Sequence, residues 1–104
     1  MTRLADDIDY QPDAIVSKVL AKSKGGNVTL FAFAAGQELS EHTSPFEALI
    51  LGVEGTGEIG IGGAHHRLTG GDLLRLPPSV PHRVKAVEPF KMLLILLKDG
   101  NAAR

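Results

Sequence analysis

Cysteine is absent from all 104 residues, which excludes a disulfide framework, a thiolate metal site and any mechanism built on a nucleophilic thiol. Charge of one dominant sign is missing too. The formal net charge is −1 and the isoelectric point about 6.4, so no nucleic-acid partner is expected. Long apolar runs are lacking: the longest, Met92 to Leu97, is far too short to cross a bilayer, and no membrane association is expected. The N-terminal stretch is acidic and holds no apolar signal core, which makes a reducing cytoplasm the expected location. Helical periodicity is nearly absent. What remains is the profile of one small domain spanning 1–104, with 43% apolar residues and a modest core.

Short aliphatic and β-branched runs fill the chain instead, separated by Gly, Pro, Asn and Asp at intervals of roughly ten residues, the pattern of an all-β barrel. Strands are expected at 15–20, 28–34, 47–53, 58–61, 65–68, 73–76, 82–87 and 90–97. Gly36 to Pro45 is polar and is expected to be irregular. Gly62-Gly63 marks a hairpin turn.

Two segments of this chain share a frame of glycines, prolines and histidines. The first begins at Gly36, leaves five residues, and reads His42-Thr43-Ser44; Ala48 then stands six residues short of Gly55. The second begins at Gly71, leaves five residues, reads Pro77-Pro78-Ser79, and continues through Pro81-His82 to Ala86. This frame resembles the paired motifs of the cupin superfamily, with motif 1 at 36–55 and motif 2 at 71–86. Ser40 to Phe46, Pro81-His82 and Phe90 to Leu94 also resemble segments of the small single-domain bacterial cupins, the cupin 2 conserved barrel group with an RmlC-like jelly roll. The resemblance implies an antiparallel jelly-roll β-barrel. It implies that His42 and His82 meet inside the barrel mouth as metal ligands. It also puts Ser44 where a second histidine would stand and Ala48 where a glutamate would stand. The metal motif is therefore incomplete.

Strand parity gives this register consequences, because side chains alternate faces with period two. With His82 inward, Val84 and Ala86 are inward and Arg83 and Lys85 outward. With Ala48 inward, Ile50 and Gly52 join it, and Leu49, Leu51 and Val53 line the opposite face. That strand, and Phe90 to Leu97, then have no wet side and need cover on both. A homodimer is the expected cover.

A third metal ligand has few sources. His65 and His66 are adjacent and so point to opposite faces; His66 shares parity with Leu68 and is the one expected to face the barrel. Glu38 shares parity with His42. Glu47 lies one position out of register, where a slip would turn it to the other face. Ser44, Ala48, Ser79 and His66 are the expected ligand-lining residues. Ser40, Ser44 and Ser79 lack an acid to orient a base, and no nucleophile elbow is present. The glycines from Gly55 to Gly63 open no helix and cradle no phosphate. Arg67, Arg75, Arg83 and Lys85 form a basic outer row, expected to be solvated.

The expected function is binding of a small polar metabolite in the barrel. Two readings of the histidines stand side by side: one divalent transition metal (zinc, nickel, iron or manganese) held weakly at His42 and His82 or completed by the ligand, and no metal, with the two histidines hydrogen-bonding within a small cavity. The alternative is a metal-dependent dioxygenase or isomerase acting on such a metabolite. Fold alone does not separate them.

Overall fold

The computed structural model describes residues 1–98; residues 99–104, the end of the expected domain span, lie outside the described residues. A 3-10 turn at Leu4–Asp6 precedes nine strands: β1 (Ile15–Ser23), β2 (Gly26–Phe33), β3 (Glu38–His42), β4 (Glu47–Glu54), β5 (Thr56–Ile61), β6 (Ala64–Thr69), β7 (Leu73–Leu76), β8 (His82–Ala86) and β9 (Phe90–Leu97). Every expected strand is there. One more, β3, forms in the stretch expected to be irregular. Its polar composition hides it, since only Leu39 of its five residues is sheltered, while pairing with β8 draws on backbone groups that any residue supplies.

All pairings are antiparallel. The strands form a five-stranded sheet in the order β1-β2-β9-β4-β7 and a four-stranded sheet in the order β3-β8-β5-β6. The two sheets close on each other as a jelly-roll barrel. The turn between β5 and β6 is made by Gly62 and Gly63, with φ of 56° and 100°, values that favour glycine in a tight hairpin.

The interior is the apolar set that parity assigns to it: Phe33, Ala48, Ile50, Ile59, Leu68, Leu76, Val84, Ala86, Phe90 and Met92. Phe33 and Phe90 are fully buried, with ring centroids 5.8 Å apart and planes tilted by 44°. Each such ring contributes roughly 1.5–3 kcal/mol by leaving water. The Phe90 ring lies against Gly57, its atoms 2.5–2.8 Å from where a Cβ would stand, so glycine there makes room for the ring. The middle of the barrel is packed.

The second apolar face of the five-stranded sheet is covered in a way the sequence does not announce. Leu30, Ala32 and Leu93 are buried there beneath Ile8, with Leu4 and Tyr10 packed alongside. Part of the cover expected from a second subunit therefore comes from the chain's own N-terminal segment. Its fastening is polar. Tyr10 Oη donates to Glu54 Oε2 at 2.6 Å, and the buried Lys91 Nζ donates to the Ala5 carbonyl at 2.5 Å. Lys91 Nζ also lies 3.5 Å from Glu54 Oε2 and 4.9 Å from the Tyr10 ring centroid.

Candidate functional site

His42 ends β3 and His82 begins β8, and the two are direct cross-strand partners. A bulge makes them so. Leu39 pairs with Val84 and His42 with His82, so the chain advances three residues on β3 against two on β8. The extra residue resets parity. Leu39 packs against the interior cluster, and His42 shares the face of His82, which alternates with the buried Val84 and Ala86. Glu38, expected to share parity with His42, instead pairs with the exposed Lys85 and turns outward. It is no third ligand.

The imidazoles stand edge to face, with centroids 4.3 Å apart and planes 69° apart. His42 is exposed and His82 is buried, at 9% exposure. The pair thus spans the boundary between solvent and core. His42 Nδ1 is 2.8 Å from the Ser40 carbonyl and His82 Nδ1 is 3.3 Å from the Val80 carbonyl. A carbonyl only accepts, so in each neutral ring Nδ1 carries the proton and donates, leaving the Nε2 lone pair free. Burial above all, and then the neighbouring His42, lower the pKa of His82; the Val80 carbonyl opposes them. The inner imidazole is accordingly kept neutral, the form that ligates a cation.

Ser44 and Ser79 flank this pair in the two adjoining loops and are joined through their backbones. The Ser79 N–H donates to the Ser44 carbonyl at 2.7 Å, and Ser44 Oγ accepts the Phe46 N–H at 3.2 Å. Ser79 takes a φ of 62°, a conformation that favours glycine. Ala48 is 5% exposed and belongs to the packed interior. Glu47 is on the opposite face of β4, where its carboxylate accepts from Arg75 of β7. His66 pairs with Ile59 on the edge strand β6, two strands away from β8, and its side chain is exposed. It shares the face of the buried Ile59 and Leu68, as parity expects, but of the six residues of β6 only Leu68 is buried.

The donor set is therefore two imidazole nitrogens. Among the described residues no cluster of three His, Cys, Asp or Glu side chains is placed to hold a metal ion, and no buried side-chain polar atom lacks a partner. Such a set suits a first-row divalent ion bound through two nitrogens, and does not suit a closed site of three or four protein ligands.

Two antiparallel sheets with these strand orders, closed on each other, place the chain among the jelly-roll barrel proteins. The Cupin_2 family, described as Cupin domain, matches residues 29–96, and the chain belongs to it. It is similar to a conserved protein of unknown function from Streptococcus pyogenes, with 31% identity, a TM-score of 0.89, and coverage of 94% of this chain and 86% of that one. A cupin superfamily protein from Desulfitobacterium hafniense is likewise 31% identical, with a TM-score of 0.90, over 94% of this chain and 90% of that one. A cupin 2 conserved barrel domain protein from Leptotrichia buccalis is 36% identical, with a TM-score of 0.86, over 90% of this chain but 46% of that one. No functionally curated protein matches the chain. Among the described residues, no helix is long and apolar enough to cross a membrane.

Proposed function

We propose that this cupin binds a small chelating metabolite at the barrel mouth through a divalent transition metal, with His42 and His82 giving two donors and the metabolite completing the shell. One observation carries this reading: two imidazoles 4.3 Å apart, each with Nδ1 held by a carbonyl and Nε2 free. Imidazole donors suit zinc and nickel better than they suit manganese. When bound, the metal supplies a Lewis-acid anchor for a bidentate oxygen ligand; the chain orients the two rings and keeps His82 neutral. The enzyme reading has less support, because Ala48 fills the carboxylate position and Glu38 and Glu47 turn outward.

The test is a calorimetric titration of nickel into the native protein with and without oxalate. One nickel per chain, bound more tightly with oxalate present and lost in both His42→Ala and His82→Ala, is the expected result. Nickel bound equally well by the double variant would refute it.

A second copy of the chain is the proposed partner. Beside the cluster under the N-terminal segment, to which Leu51 and Ile95 belong, Leu73 (61% exposed) and Leu97 (39%) extend an apolar strip with the half-buried Leu49 on the outer face of the five-stranded sheet. Such an apolar strip on a small barrel is a surface suited to self-association.

A further inference from the structure

The outer face of the four-stranded sheet carries a second feature, on the opposite side of β8 from His82. A groove of about 380 Å³ is lined there by Glu58, Gly60, His65, Arg83, Lys85 and Val87. Its volume falls within the range of small-molecule sites, roughly 300–1,000 Å³. The register explains its shape. Gly60 of β5 stands between Arg83 of β8 and His65 of β6, its direct partners on either side. The Arg83 stem lies flat over it, with Cγ 2.8 Å from where a Cβ would be, and His65 Nδ1 reaches within 3.9 Å of the same point. Glycine at 60 is thus what allows the Arg83 stem and the His65 ring to approach each other across the sheet.

The charges are unevenly satisfied. Among the described residues, neither Arg83 nor Lys85 has a carboxylate within 4.0 Å, although Glu58 and Glu38 are the cross-strand partners of Lys85. Glu58 lies 3.9 Å from His65 Nδ1. Arg83 is half-buried with its stem on a glycine floor, and its guanidinium, free of any described carboxylate within 4.0 Å, is a ready fork for one, which it grips with two parallel hydrogen bonds. Glu58 works against a second negative charge in the same groove and offers an acceptor to a donor at the far end of the ligand.

We propose that this groove is a binding site for a small carboxylate carrying an amino group, anchored by Arg83 and Lys85 at its acid end and by Glu58 at its amino end. It is independent of the histidine pair and needs no metal. The experiment is nuclear magnetic resonance titration of the full chain, metal-free, with β-alanine, propionate and inorganic phosphate. β-Alanine should shift the amides of residues 58–60, 65 and 83–87 saturably and bind more tightly than propionate or phosphate. Arg83→Gln should weaken it about tenfold or more, the loss of one charge-assisted bidentate contact. Gly60→Ala, which keeps every charge but displaces the Arg83 stem, should weaken it as well. Glu58→Gln should abolish the preference for β-alanine over propionate. Tighter binding of phosphate, shifts spread over the whole surface, or unchanged affinity in both Arg83→Gln and Gly60→Ala would each overturn the proposal.

Discussion

Removing the hydroxyl of Tyr10 should loosen the N-terminal segment while leaving the barrel intact. Tyr10→Phe keeps the ring under Lys91 and deletes a single bond, the 2.6 Å contact to Glu54. Hydrogen bonds to charged groups contribute about 1.5–3 kcal/mol. The Glu54 side chain is 40% exposed and water partly replaces the lost donor, so about 1 kcal/mol is the expected cost. Lys91→Met goes further. It removes the ammonium, 8% exposed, and leaves both the Ala5 carbonyl and Glu54 short of a partner, for about 2 kcal/mol or more. The assay is urea unfolding together with amide exchange. Protection should fall at Asp6 and Asp7, whose N–H groups bond back to Arg3 and Leu4, while Leu30 and Leu93 in the sheet stay protected. The pH profile gives an independent readout. Burial first, then the bond to Glu54 and the charges of Glu54 and Glu88, hold the Tyr10 hydroxyl well above the ordinary tyrosine range. A pKa raised on folding contributes stability that is fully present below the unfolded value near 10 and is lost as pH rises beyond it. Tyr10 is the sole tyrosine, so tyrosinate absorbance follows this one group. Native protein whose tyrosine ionises near 10, or whose alkaline stability profile is the same in Tyr10→Phe, would refute the clasp.

Three other outcomes are expected. Ser79→Gly should stabilise the protein by up to about 1 kcal/mol in thermal unfolding, because a φ of 62° strains a residue with a Cβ and suits glycine; a loss of stability would mean that the serine side chain outweighs the strain. His82 has a pKa lowered by burial and by His42, so its contribution to stability is present above the unfolded imidazole value of about 6.5 and declines as pH falls through its folded value; His82→Gln should flatten that acid limb of a chemical-denaturation series. Leu73→Lys puts a charge on the exposed part of the strip proposed to self-associate and should shift sedimentation toward the monomer, whereas wild-type protein that is already monomeric at micromolar concentration would contradict the dimer.

Much of the fold was legible because strand parity leaves a strong signal when one face is buried. His82, Val84 and Ala86 alternate with Arg83 and Lys85, and Ala48, Ile50 and Gly52 face the interior as the pattern requires. β3 was not legible, since a polar strand gains its place from backbone pairing and carries no apolar alternation. Its bulge was not legible either, and that single extra residue decides that His42 faces in and Glu38 faces out. The role of the N-terminal segment was hidden by composition. Its acidic and polar residues give no sign of packing, yet Ile8 and Tyr10 are the ones that matter, and their partners Leu93, Glu54 and Lys91 are more than forty residues away. Ile8 was isolated, which gives periodicity nothing to detect.

Where a ligand of the histidine pair must sit follows from the packing. Ala32 of β2 and Gly60 of β5 face away from the interior, and the middle of the barrel is filled by Phe33, Phe90 and Met92. Opening a cavity there would mean giving up contacts that stabilise the barrel by several kcal/mol. The exposed His42 and the buried His82 instead form a site whose inner wall is the core and whose outer side is water. On the proposed reading, a ligand bound there replaces solvent on one side only, so shape selection is slight and most of its affinity would come from the donor atoms it brings to the metal. A rigid bidentate oxygen donor should therefore bind far better than a larger apolar molecule with a single donor. In the nickel titration this ordering separates a metal-anchored mouth from a cavity that selects by shape: for the cavity, added apolar bulk would raise affinity, and for the mouth, deleting one of the two donor oxygens should nearly abolish it.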